Sequence, residues 1–276
     1  MLSVLIGVVV TAITLCLTLF TVKDISVDFR TSISQDYEDK QIIEKSQIPY
    51  GKCLLFMSKD KFEENIEKEY PYLDVINIET VFPSKIVIHV AEREEIFAVQ
   101  KNETTIYLDK DLKVLKIIEE TYESDKNNLI LLNGLQIDQI NVGDFIKVNH
   151  NGIKNFYASM VENGKILAQI KGFVKQITLE KEFNSLLGEE QEHINIATFI
   201  NRKIKILNAD VNLNLKIQKM FQVVPMIYET LVDEGDYTPE EVQRCEILIG
   251  NQITNQNEIY VHVLLDGQII TQKNRD

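Results

Sequence analysis

The stretch Pro71-Tyr-Leu-Asp-Val-Ile-Asn-Ile-Glu-Thr-Val-Phe-Pro-Ser-Lys-Ile-Val-Ile-His-Val-Ala-Glu-Arg93 decides how the rest of the chain is read. Val75 to Val81 and Lys85 to Val90 each alternate apolar and polar residues, the period of a strand with one face on a core. Phe82-Pro83-Ser84 between them has the composition of a turn. Upstream, Pro71 ends a helical pattern over about Lys59 to Tyr70, with Phe62, Ile66 and Tyr70 on one face and Ser58 as a candidate N-cap. A turn at Pro49-Tyr-Gly51 separates it from a polar helical stretch, Gln35 to Ser46. Before that, Ile25-Ser-Val-Asp-Phe29 reads as a short strand. The order β-α-α-β-β predicts a small α+β domain over residues 24–100. Its core is expected to join Phe62, Ile66, Ile76, Ile78, Ile86 and Ile88.

The N-terminus differs from everything after it. Leu2 to Val22 is 21 residues without a charge, about 30 Å as a helix, enough to cross a bilayer core. A cleaved signal peptide fits poorly: no Lys or Arg precedes the run, and Thr21-Val22-Lys23 is a poor cleavage site. The expectation is a transmembrane anchor over residues 1–23. The flanking charges leave its orientation open, since Lys23 and Arg30 follow the run but long domains translocate largely regardless of such charges.

The second half, residues 101–276, is expected to be a mixed, β-rich domain with two helices. Ile106 to Leu115 reads as strand, turn, strand. Further strands are expected at Leu129–Leu132, Ile166–Ile170, Gln176–Leu179, His193–Ala197, Lys203–Leu207, Glu246–Ile249 and Ile259–Leu265. Ile153, Phe156, Tyr157, Met160 and Val161 sit at helical spacing, and a long helix is expected over about Val211 to Val232, kinked at Pro225.

Composition narrows the function. With 42 acidic against 29 basic residues the net charge is −13, which disfavours nucleic acid as a partner. Three cysteines, Cys16, Cys53 and Cys245, give neither a disulfide framework nor zinc spacing. The four histidines are the first candidates for catalysis. His89 reads as a half-exposed strand residue, His150 as part of a turn, and His193 and His262 as flanking or lying in strands; none has a triad or H-x-x-x-H arrangement. Asp109-Lys-Asp111 lacks the glycine and glutamate of a calcium loop and reads as a turn. The expectation is no catalytic residue, no metal and no cofactor. Glu92-Arg93-Glu94-Glu95 reads first as a solvated strand end, with a dock for a basic partner as the alternative.

Gly51-Lys-Cys-Leu-Leu-Phe56, Pro71-Tyr-Leu-Asp-Val75, Ile76-Asn-Ile78, Phe82-Pro83-Ser84 and Ile86-Val-Ile-His-Val-Ala-Glu-Arg93 occur in order, soon after a lone N-terminal apolar run. This set resembles the POTRA domain of the FtsQ/DivIB cell-division family. Ile106-Tyr-Leu-Asp109 is similar to the segment that comes next in that family. Beyond residue 115 the resemblance is faint. Lys203–Leu207 with Lys216 and Lys219 is similar to the family's second-domain pattern, with Asn208 where glycine is usual. Leu112 also stands where the family has a turn glycine, so that turn is expected to differ. The resemblance implies a bitopic membrane protein, N-terminus inside, located at the division septum. It implies a scaffold, not an enzyme, that binds FtsL-like and DivIC/FtsB-like proteins and so regulates septal peptidoglycan synthesis. A cell-wall hydrolase would need a nucleophile or metal constellation. An outer-membrane assembly factor would need repeated POTRA units and a barrel.

Two partner sites are expected. The first is Tyr260, Val261, His262, Val263 and Leu264, on a final strand with no charge or proline to protect its edge. The family resemblance points to the same end of the chain. The second is Val75, Ile76, Asn77, Ile78 and Glu79, because an exposed second strand can accept a partner's strand.

Overall fold

A computed structural model describes residues 11, 14, 18–31, 37–54, 57–122, 128–137, 140–185, 188–233, 237–252 and 258–270. Most of the expected anchor, Leu2 to Val22, therefore lies outside the described residues. No helix among the described residues is long and apolar enough to cross a membrane. The last residues of the run do not belong to an anchor at all. Val22 is buried in the first core, and Thr21 pairs with Cys53.

The chain divides into two compact units, one running to Glu94 with Asn141–Asp144, the other comprising Glu95–Ile140 and Phe145–Asp276. The first unit contains β1 (Asp24–Phe29), α1 (Asp39–Ser46), α2 (Asp60–Glu69), β2 (Leu73–Val81) and β3 (Lys85–Glu92). The strands lie in the order β1-β3-β2, with β1 parallel and β2 antiparallel to the central β3. Ile42 of α1 and Ile66 of α2 reach down onto Ile25, Val75, Ile78, Ile86, Ile88 and Val90. Phe62 is only half-buried at the rim of this core.

Ile76 is a correction. It is 55% exposed, whereas Val75 and Ile78 are buried. The register with β3 slips between Val75 and Asn77, so Ile76 is the extra residue of a bulge. One inserted residue reverses strand parity beyond it, which turns Val75 and Ile78 to the same face. Uniform alternation could not show this.

The second unit is a ten-stranded sheet in the order β13-β12-β11-β10-β9-β8-β7-β4-β5-β6. Its strands are β4 (Phe97–Lys101), β5 (Thr104–Leu108), β6 (Val114–Ile118), β7 (Ile130–Asn133), β8 (Val174–Asn184) and β9 (Glu189–Thr198). They continue with β10 (Lys203–Ile206), β11 (Glu246–Asn251), β12 (Ile259–Leu265) and β13 (Gln268–Ile270). Phe97–Lys101, read from sequence as the end of the first domain, is thus a strand of the second sheet. Four helices accompany it among the described residues, not two: α3 (Asn151–Glu162), α4 (Leu167–Phe173), α5 (Leu213–Asp233) and α6 (Pro239–Arg244). The expected strand Ile166–Ile170 is the start of α4. Ile170 is buried while Leu167 and Phe173 pack on the same core, a spacing of three that suits a helix. The side chain of Gln169 returns to accept the Ile166 N–H and caps it.

Two departures from glycine are accommodated in place. Leu112 has φ +64° with its side chain buried, and Asn208 has φ +51°. The β5–β6 turn therefore keeps the left-handed conformation that a glycine would supply, contrary to expectation. Asp109 supports it: its Oδ1 accepts the N–H groups of Asp111 and Lys113, both at 2.8 Å.

Candidate functional site

The first expected partner site lies on β12, which pairs antiparallel with β11 from Ile259 to Leu264, Ile247 facing Val263 and Gly250 facing Tyr260. It is not the last strand, contrary to the expectation from sequence. After a turn at Asp266-Gly267, β13 pairs with Val263, Leu264 and Leu265. Short-range polarity at Asp266-Gly267 was the available signal for this hairpin, both residues having positive φ. Among the described residues, Ile259 to His262 have no strand on their outer flank.

The two faces of this sheet end differ. Ile247 and Ile249 are buried, and Ile259 and Val261 pack on the same core as Ile217, Met220 and Val224 of α5. The opposite face carries Leu248, Tyr260, His262 and Leu264, all half-buried, and Ile269, which is 55% exposed. Tyr260 and His262 lie with ring centroids 4.6 Å apart at 32°. Tyr260 covers Gly250: a Cβ there would stand 2.5 Å from the phenol oxygen, so only glycine admits the ring. Burial raises the Tyr260 hydroxyl above its usual range. Next along the face, Lys205 on β10 sits 3.3 Å from Glu180 and 2.6 Å from Glu182. Its hydrogen bond holds the Glu182 carboxyl below its usual range. The face thus grades from ion pairs to an apolar, aromatic strip of Leu248, Tyr260, His262, Leu264 and Ile269. Contiguous apolar strips bordered by charge are the chemistry of protein contact surfaces.

The second expected site is split. The sheet order leaves β2 at an edge, but Val75 and Ile78 are committed to the core. Glu79 reaches His89 Nε2 at 2.9 Å. Ile76, Asn77 and Glu79 stand exposed there, Glu79 with its carboxylate turned to His89.

His89 itself is a correction, because it is 7% exposed. Being central in the sheet, it is shielded by β1 and β2. Asp28 Oδ2 lies 2.7 Å from its Nδ1, and Arg30 packs against the same nitrogen. Arg93 is likewise no solvated charge. Its side chain is 6% exposed, donates to Glu67 Oε1 at 2.8 Å and to the Leu73 carbonyl at 3.2 Å, and also meets Asp74.

A buried polar cluster has no counterpart among the expectations from sequence. His150 caps α3 through Nδ1, and its Nε2 lies 3.1 Å from the His193 carbonyl. Glu192 accepts the N–H groups of Asn151 and Gly152. His193 Nδ1 accepts the Asn208 N–H at 3.0 Å, which requires a neutral ring, and burial accordingly lowers its pKa. Lys216, fully buried, donates to the carbonyls of Leu207, Asn208 and Val211 at 2.6–2.8 Å. Burial pushes its ammonium down to about 8, opposed by Asp210. These groups lie on separate segments and satisfy backbone atoms, so their role is to fasten the β10–α5 connection to β9 and α3. Beside His150 opens a cleft of about 470 Å³ walled by Gly134–Gln136, Lys147–Asn149 and Leu179–Lys181. Among the described residues no group of three or more His, Cys, Asp or Glu is placed to hold a metal.

Residues 20–93 match the model of the FtsQ-type POTRA domain. Cell division protein DivIB of Clostridium acetobutylicum is 30% identical over 133 residues, 48% of this chain and 50% of the relative. Cell division protein DivIB of Clostridium tetani is 27% identical over 221 residues, 77% of this chain and 73% of the relative. The chain thus spans half the length of the first relative and somewhat more of the second. A solved structure, the major extracytoplasmic domain of the trans isomer of DivIB from Geobacillus stearothermophilus, aligns over 52% of this chain and 97% of its own. At 14% identity and a TM-score of 0.30 that likeness carries no argument. Fold and match together define an α+β protein built on an FtsQ-type POTRA domain followed by a β-rich unit. The chain is thus similar to the DivIB cell-division proteins, and its residues 20–93 match the FtsQ-type POTRA domain.

Proposed function

We propose that this chain is a bitopic, non-enzymatic scaffold of the division machinery. Its apolar N-terminal segment crosses the cell membrane, and both folded units lie outside at the septum. There it binds small coiled-coil division proteins of the FtsL and DivIC/FtsB kind and through them regulates septal peptidoglycan synthesis. The observation that carries this reading is the strip Leu248, Tyr260, His262, Leu264 and Ile269 at the end of the large sheet, beside a flank of β12 that β13 leaves uncovered. A partner's segment laid there gains backbone pairing from Ile259–His262 and apolar contact from the strip. The division-protein relatives support the setting.

A fluorescent fusion in dividing cells should gather at midcell. Tyr260→Ala combined with Leu264→Ala should weaken binding to a DivIC-like ectodomain at least tenfold, about 1.4 kcal/mol. Uniform membrane fluorescence, or unchanged affinity in a folded double variant, would remove the reading.

A further inference from the structure

We propose that the POTRA unit has no linker to the bilayer and inserts the Tyr50 loop and the Phe82 turn into the lipid headgroup layer. The inference rests on the reading that the apolar N-terminal run spans the membrane. Five backbone hydrogen bonds build the end of the unit where the chain enters it. Leu54 N donates to Phe20 O at 2.8 Å, Val22 N to Lys52 O at 2.9 Å, and Gly51 N to Val22 O at 2.9 Å. Lys23 N and Asp24 N both donate to Ser84 O. Phe20 is thus already inside the fold, and its ring meets Phe82 edge-on at 5.4 Å.

The span is shortened to match. Residues 2–19 number 18, within the roughly 17–25 residues that a membrane-spanning helix uses. A helix ending at Leu19 leaves no chain between bilayer and domain. The loop at Tyr50 and the turn at Phe82 must then fall within the headgroup layer, roughly 5–8 Å deep on each side. Their side chains suit that layer. Tyr50 is 61%, Phe82 56% and Leu19 49% exposed, large apolar side chains with about half or more of their surface open. Lys23 and Lys52 are exposed beside them, in a chain whose net charge is −13. Aromatic rings with lysines alongside are the composition of a membrane interface.

The chain contains no tryptophan, so Phe82→Trp places a single reporter at this end. Glu94→Trp is the control. Glu94 is exposed just past the far end of β3, whose seven steps from Lys85 to Glu92 cover roughly 23 Å. The full chain is reconstituted in phosphatidylcholine–phosphatidylglycerol vesicles whose acyl chains carry bromine. Phe82→Trp should lose at least half its emission to the brominated lipid, and Glu94→Trp less than a tenth. Tyr50→Trp, on the neighbouring loop, gives the same reading if Phe82→Trp does not fold. Equal quenching at the two ends, in chains that resist alkaline carbonate extraction, overturns the insertion and leaves the span intact. Release of the chain by carbonate overturns the span and the insertion with it.

Discussion

Side chains with identical names do opposite jobs two positions apart in β2. Ile78 lies against Ile88, its register partner, whereas Ile76 projects from the bulge. Ile78→Ala should cost about 2–5 kcal/mol, the usual result of emptying a buried isoleucine site. Ile76→Ala should stay within about 0.5 kcal/mol of wild type, as exposed changes do. Urea midpoints of the two variants check both, and equal losses would place Ile76 in the core after all. The two positive-φ residues make a similar contrast. Leu112→Gly relieves roughly 1–2 kcal/mol of left-handed strain but removes a buried leucine valued at about 2–5 kcal/mol, so the variant should be less stable. Asn208→Gly relieves strain at a half-exposed position and keeps the backbone bonds to His193 and Lys216. It should melt at or slightly above wild type; a marked loss would show that the asparagine side chain holds the turn.

At the scale of elements, the connection from β10 to α5 is held by one amine. Lys216 gathers three carbonyls, and it stands on the buried face of α5, three residues after Leu213 and four before Met220. Its folded pKa of about 8 lies below the ordinary 10.5. The unfolded chain therefore binds more protons between about pH 8 and 10.5, and stability from this group rises with pH across that window. Equivalently, the contribution is present above 10.5 and is lost as pH falls through 8. The stability difference between wild type and Lys216→Met, followed by urea unfolding, should shift in favour of wild type from pH 8 to pH 10. A pH-independent difference would mean that burial does not depress the ammonium. On β12, Tyr260 and Leu264 are half-buried. Truncating Tyr260 uncovers Gly250, so a modest drop in melting temperature should accompany the tenfold loss of binding.

For the whole molecule, the proposed arrangement makes a topological prediction. Protease added to intact protoplasts should degrade both folded units, because everything from Lys23 onward would face outside. Protection until lysis would reverse the orientation and with it the placing of the β12 strip against extracellular partners. The same arrangement explains why an acidic chain can carry aromatic side chains and lysines at one end of its first unit. Net charge describes the average surface, whereas a membrane contact depends on the few residues beside the point of entry.

Periodicity and turn chemistry were enough for the order of elements in the POTRA unit. The strands Leu73–Val81 and Lys85–Glu92, the helix Asp60–Glu69 and the long helix Leu213–Asp233 all show in the spacing of apolar residues, which depends only on neighbours in the chain. The strand Ile259–Leu265 was legible for the same reason, and so was its apolar character as a candidate contact. What required the tertiary structure was everything set by residues distant in sequence. A bulge at Ile76 is defined by its partner strand, and Asp266-Gly267 turns β13 onto β12 only because a short strand comes after it. Arg93 and His89 look like surface charges until Glu67, Asp28 and Glu79 are brought around them. Leu112 takes a glycine's conformation because burial of its side chain, together with the Asp109 bonds, outweighs a local penalty of roughly 1–2 kcal/mol. Local rules describe what a segment prefers alone, and long-range packing decides which of those preferences is overruled.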